Sequence, residues 1–206
     1  MTFDPNQLLN NPGALLNLKG QIPVHPPGEN VAPEPTPAPA YDPSLYENAF
    51  GRLGLLHIAN VADLGCGMGN FTGIMVKRRQ RPEVYIGVDI SHNNIKVAKA
   101  AYPGWNFIYG DFASPQVIQQ YERFEAYLLL NVLDVLEDDL GFLETVPGEK
   151  PVLFSMPRFP KEGSVRHFSD VQDLRTRYSN HLSIQSVGRF ADAQGEAYSM
   201  VVAKRW

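Results

Sequence analysis

A chain of 206 residues with 44% hydrophobic content suits one domain with a sizeable core, plus an extension. Its formal net charge of −4, with no lysine and arginine block, argues against a nucleic-acid partner. The single cysteine excludes an internal disulfide and a cysteine-rich zinc site, and suggests a reducing cytoplasmic home.

The first residues have no basic stretch followed by an apolar one, so no secretory signal is expected. No apolar run reaches the length of a membrane span. Eight of the seventeen prolines lie between Pro23 and Pro43. Such a run forms neither a helix nor a central strand. Residues 1–40 are therefore expected to be an extended arm. It is either a tail or a flap over a ligand site, with Tyr41 and Tyr46 as substrate contacts. Residues 41–206 form the domain.

Within that domain, helical spacing runs from Pro43 to Leu53. Val61 to Leu64 reads as a buried strand, and Asn70 to Arg79 as a helix opening on a polar cap, with Phe71, Ile74 and Met75 inward. Val84 to Asp89 is a second strand, and Ser91 caps the helix that follows. Trp105 to Tyr109, Glu125 to Asn131 and Pro151 to Ser155 are the next strands. Ser169 to Tyr178 is helical. Leu182 to Gly188 and Ala197 to Ala203 are two last strands around the turn-rich 192–196. Alternating strands and helices imply an α/β, doubly wound, mostly parallel sheet, and the final pair implies an antiparallel edge. In such sheets a ligand binds beyond the carboxyl ends of the strands.

Three features fall at those ends. Gly65, Gly67 and Gly69 follow the first strand, where missing side chains let a ligand approach the main chain before a helix N-terminus. Asp89 ends the second strand, twenty residues after Gly69, an offset suited to holding ribose hydroxyls. Asp111 and Phe112 follow the third, offering a carboxylate and a ring to an adenine. Each alone has a bland reading, as a tight turn, a helix cap or a turn aspartate. Together they make one ligand pocket. A dinucleotide loop wants glycine where Asn70 stands, and a phosphate-binding loop wants Gly-Lys-Ser/Thr, which is missing. Three aspartates, Asp63, Asp89 and Asp111, suit a phosphate-free ligand with sulfonium and ammonium groups. The electrostatics favour S-adenosylmethionine.

The segments VADLGCGMGNFTGIM, YIGVDIS, FIYGDFAS and AYLLLNVLDVLEDDLGFLETV resemble the sequential motifs of class I S-adenosylmethionine-dependent methyltransferases. The resemblance runs from about Tyr41 onward and implies that family's Rossmann-like, seven-stranded sheet. It implies that Asp63, Gly65, Cys66, Gly67 and Gly69 surround the methionine part of the cofactor. Asp89 would hold the ribose, Ile90 would pack on the adenine, and Asp111 with Phe112 would contact the base. Asn131 would line the methyl-transfer centre. In many small-molecule members Glu-His stands in the helix after the fourth strand; here the pair is Asp134-Val135. The family's metal-dependent RNA-end members place acids and histidines there, so Val135 in the histidine position, with His167 the one remaining candidate, argues against a metal.

A hydroxyl acceptor needs a general base. His167, before a helix start, is the candidate, against a plain surface or capping role. Arg158 and Arg166 could bind an anionic acceptor in bidentate fashion. Cys66 reads as a small packed residue and not a nucleophile. The leading expectation is an enzyme that methylates a small molecule. The alternatives are a methyltransferase for RNA or protein, with the arm as a docking element, and a non-catalytic cofactor-binding module.

Overall fold

The computed structural model describes residues 43–55, 58–114, 124–191 and 195–206. The expected proline-rich arm and Tyr41 lie outside the described residues. So do the turn residues 192–194.

The described elements run α1 (Ser44–Leu55), β1 (Asn60–Leu64), α2 (Asn70–Lys77), β2 (Val84–Asp89), α3 (His92–Ala101), β3 (Phe107–Tyr109), β4 (Ala126–Leu129), α4 (Asp139–Thr145), β5 (Pro151–Pro157), α5 (Val171–Tyr178), β6 (Leu182–Ala191) and β7 (Ala197–Arg205). They build a seven-stranded sheet in the order β3-β2-β1-β4-β5-β7-β6. β1 pairs in parallel with β2 and β4, β2 with β3, and β4 with β5. β7 runs antiparallel between β5 and β6. This is the doubly wound, mostly parallel sheet with an antiparallel end that the sequence implies. The order reverses at β1, which puts the switch point at the glycine loop.

Central strands are buried on both faces, so they are almost wholly apolar. Period-two alternation sends their side chains into two cores. On one face Val61, Leu128, Leu153 and Met200 meet Leu45, Ala49 and Leu53 of α1, Phe71 and Met75 of α2, and Ile95 and Ala98 of α3. On the other, Ala62, Leu64, Tyr127, Leu129 and Phe154 meet Phe142 and Leu143 of α4 and Leu174 and Tyr178 of α5.

Several element boundaries differ from expectation. α2 opens on Gly69 at φ 82° with no side-chain cap, so the expected polar cap is corrected. It ends at Lys77, because Arg79 enters the left-handed region at φ 55°. The third and fourth strands are shorter than the apolar runs that mark them, while β5, β6 and β7 are longer. β6 carries a register shift between Ile184 and Ser186. Ser91 does cap α3, its Oγ accepting from Asn94 N at 3.2 Å. Asp134 and Val135 stand in a turn and not in a helix: α4 begins only at Asp139, after its cap Asp138.

Candidate cofactor and acceptor site

β1 leads straight into the glycine loop. The loop is pinned back to β2 by Gly65 N and Cys66 N, which both donate to Val88 O at 2.7 and 3.0 Å. Gly65, Gly67 and Gly69 all have positive φ, at 77°, 56° and 82°. Two of these glycines do different work. A Cβ on Gly65 would stand 2.5 Å from Val132 Cγ2, so this glycine is needed for packing against the turn after β4. A Cβ on Gly67 would meet nothing within 4 Å, so here the bare main chain faces open space. That is the arrangement for a ligand lying along the backbone.

Asp89 joins the loop to the second strand. Its Oδ2 accepts from Gly67 N at 2.8 Å, and its Oδ1 from Ser91 N at 2.8 Å and Asn94 Nδ2 at 3.2 Å. A carboxylate has about four acceptor sites. Three donors leave one for a ligand hydroxyl, with the carboxylate already oriented. Ile90 follows with 63% of its surface exposed, an apolar side chain held in solvent beside that carboxylate. The open Gly67 backbone, the acceptor capacity of Asp89 and the exposed Ile90 fit a nucleoside ligand carrying an amino-acid arm.

Asp63 is placed differently from expectation. It is 2% exposed and sits behind the loop, accepting from Tyr85 OH at 2.7 Å. Its carboxylate is engaged inside the fold and does not face open space. Burial pushes its pKa up from 3.8 to about 7, against the lowering effect of the Tyr85 hydrogen bond, and the nearby Asp89 charge raises it further. Tyr85 is a site residue that sequence reading missed. Its signal was the register: Val61 pairs with Tyr85 and Asp63 with Gly87, so Tyr85 lies diagonal to Asp63. Cys66 is buried, and burial beside Asp63 and Asp89 pushes its thiol pKa up, which suits a packed, unreactive side chain.

After β3, Asp111 is exposed and its Oδ1 accepts from Ala113 N at 2.8 Å. Phe112 departs from its expected place on an adenine. Its ring is turned into the core, edge-on to Phe142 at 5.4 Å, because it fills the space beneath Gly65. On α1, Tyr46 OH accepts from Asn70 Nδ2 at 3.2 Å, which brings this helix to the loop. At its other end Arg52 lies against Gly188 and reaches Ser186 Oγ at 3.4 Å.

The turns after β4 and β5 form the facing wall. Asn131 is left-handed at φ 56°, a conformation that asparagine tolerates better than most residues. Its N–H donates to Ser155 Oγ at 2.8 Å, and that hydroxyl donates back to Asn131 Oδ1 at 3.2 Å. Asp134, also 2% exposed, accepts from Ser164 Oγ at 2.5 Å, while its carbonyl accepts from Val165 N and Arg166 N. Burial raises the Asp134 pKa, and the Ser164 hydrogen bond only partly offsets it.

Arg166 donates to the carbonyls of Leu133, Leu136 and Glu137 and pairs with Asp139 at 3.3 Å. Its guanidinium ties the two turns together, which replaces the expected free anion-binding role. Asp139 is buried, which pushes its pKa up. Hydrogen bonds from Arg177 and Tyr178, with the Arg166 charge, outweigh this and lower it overall. Arg158 donates to Ser169 O at 3.3 Å and lies 5.5 Å over the Phe159 ring. Lys161 Nζ donates to Tyr198 OH at 2.5 Å. His167 is exposed on the same loop.

The remaining described histidines lie elsewhere: His92 is edge-on to Tyr109, and His181 meets Glu144 at 3.3 Å. His25 and His57 are outside the described residues. Among the described residues no group of three histidine, cysteine or acidic side chains could hold a metal.

Residues 61–146 match the family model described as a methyltransferase domain. A trans-aconitate 2-methyltransferase of Rhodopseudomonas palustris (strain BisB18) is 43% identical over 53 residues. That stretch is 26% of this chain and only 20% of the relative's length. Among solved structures, the methyltransferase domain of a bacterial CtHen1 superposes with a TM-score of 0.61 at 16% identity, covering 79% of this chain and 97% of that one. Magnesium protoporphyrin IX methyltransferase from Synechocystis PCC 6803, with S-adenosylhomocysteine bound, gives 0.59 at 18% identity, covering 80% and 83%. At these identities the structural likeness is one of fold. The strand order, the glycine loop and the family match agree: residues 61–146 resemble a methyltransferase domain and sit in the fold that these solved methyltransferases share.

Proposed function

We propose that this chain is a methyltransferase that takes S-adenosylmethionine as its donor and methylates a small, anionic acceptor. The observation that carries the donor is the Gly67–Asp89 pairing, an open main-chain surface next to an oriented carboxylate. When bound, this donor supplies an electrophilic methyl carbon on a sulfonium.

The protein's own part is then largely positional. Gly67 offers its backbone to the amino-acid arm, Asp89 accepts from the ribose, and Ile90 and Asp111 flank the base. Asn131, fixed by Ser155, borders the transfer centre. Orientation of the acceptor against the methyl carbon and exclusion of water carry much of the barrier reduction. His167 is the candidate to take a proton from the acceptor. Arg158 is the remaining candidate to bind an anionic acceptor once Arg166 is committed to its clamp. The acidic net charge of −4 and the small carboxylate substrate in the name of the Rhodopseudomonas relative support a metabolite acceptor.

The test is calorimetric binding of S-adenosylhomocysteine, followed by label transfer to a panel of di- and tricarboxylates that includes trans-aconitate. Absence of S-adenosylhomocysteine binding removes the donor assignment. Tight binding with no turnover on metabolites, RNA or protein leaves a binding module in place of an enzyme. Given turnover, His167→Ala should lower kcat by about a hundredfold or more with the donor affinity unchanged. An unchanged kcat excludes His167 as the base.

A further inference from the structure

At the amino-terminal end of β1, away from the glycine loop, α1 and α2 part around a cavity of about 420 Å3. Its floor is apolar: Phe50 and Leu53 of α1, Ile58 and Val61 at the entry to β1, and Phe71 and Met75 of α2. Arg79 and Arg81 stand at its mouth. From Val61 to Gly65 the strand advances roughly 13 Å, so the cavity is separate from the cofactor loop. Its size falls within the range of about 300–1,000 Å3 found for small-molecule sites.

The two arginines are set apart from their neighbours. Lys77 and Arg78, just before them, are paired with Glu47 at 3.3 and 2.5 Å. Neither Arg79 nor Arg81 has an acidic partner among the described residues. Arg81 is fixed by a bond to Gly104 O at 2.7 Å and lies 4.6 Å over the Trp105 ring, so its charge is positioned without being neutralised. The nearby Glu125 carboxylate is engaged by Ala59 N and Asn60 N.

Arg79 is also an unusual helix terminator. Arg79 N donates to Val76 O and Gln80 N to Met75 O, both at 3.0 Å, which makes a Schellman ending for α2. Arg79 occupies its left-handed position at φ 55°, where glycine is the favoured residue. The fold accepts a strained backbone there and gains a cation at the cavity mouth.

We propose that this cavity binds an amphipathic carboxylate, with its apolar body on the Phe50–Met75 floor and its charged head between Arg79 and Arg81. Titration of the full chain with decanoate, followed by calorimetry and by Trp105 fluorescence, tests this. Saturable one-to-one binding is expected, weakened at least tenfold by Arg79→Gly and by the cavity-filling Leu53→Trp. Arg79→Gly should keep or raise the Tm, since glycine suits the left-handed position, so its loss of binding cannot come from unfolding. Three results would overturn the proposal: no saturable binding, equal binding of decylammonium, or decanoate binding that Arg79→Gly leaves unchanged. Concentration-dependent self-association abolished by Leu53→Trp would also overturn it, by assigning the cavity to a second copy of the chain.

Discussion

The two walls of the site are built in different ways. The wall after β1 to β3 is made of backbone: three left-handed glycines, N–H groups aimed at Val88 O and Asp89, and short-range turns. The wall after β4 and β5 is made of side chains reaching across about thirty positions, as in Ser164 to Asp134 and Arg166 to the 133–137 carbonyls. A cofactor common to a whole superfamily can be held by main chain, which many sequences share. An acceptor must be told apart by side chains, which each sequence chooses for itself.

Asp89→Ala should disturb the backbone wall most. It removes the carboxylate that receives Gly67 N, Ser91 N and Asn94 Nδ2, and with it charge-assisted hydrogen bonds of about 1.5–3 kcal/mol each. S-adenosylhomocysteine affinity should fall on the order of a hundredfold by calorimetry. An unchanged affinity would detach the loop from the ligand altogether.

Next come the glycines, which separate packing from binding. Gly65→Ala drives a methyl into Val132 and should cost about 1–3 kcal/mol in denaturant unfolding. Gly67→Ala meets no atom but keeps its positive φ, so it should cost about 1 kcal/mol in stability while weakening the ligand more than Gly65→Ala does. The reverse ranking would mean that the open face of Gly67 is not the ligand face.

On the side-chain wall, Ser164→Ala leaves the buried Asp134 carboxyl without its donor, at about 1–3 kcal/mol. Amides 164–166 should exchange faster, with donor affinity unmoved. Coupled loss of donor binding would show the two walls to be one unit.

The last test reads a slope. Asp63 binds its proton more tightly in the folded state, where its pKa rises from 3.8 to about 7. Its contribution to stability is therefore full below about pH 4 and lost as pH climbs to about 7. Asp63→Asn, still able to accept from Tyr85, should remove that decline from a Tm profile between pH 4 and 8. Parallel profiles for the two proteins would leave Asp63 without that titration.

The same contrast explains what could be read in the sequence. The strands, the glycine loop and the place of Asp89 were legible because each leaves a local mark: an apolar run, glycines in a row, an acid at a fixed offset. Phe112 was misplaced because an aromatic after a strand looks alike whether it faces a ligand or fills the gap under Gly65. Arg166 was misjudged because its partners are carbonyls, which carry no sequence signature. Tyr85 could be linked to Asp63 only through strand register. The α2 ending went unread because Arg79 stands where glycine marks a stop.

The place of β7 has a consequence for synthesis. It is made after β6 yet lies between β5 and β6. β6 therefore cannot join the sheet when it leaves the ribosome. It must wait, unpaired, until β7 arrives and zips to both neighbours through registers that run from Pro151↔Lys204 to Pro157↔Tyr198 and from Leu182↔Arg205 to Ala191↔Ala197. Until then the edge of β5 is open, and with it the end of the sheet that carries Ser155 and the loop of Arg158, Ser164 and His167. The backbone wall can form on a nascent chain; the side-chain wall must wait for the last strand.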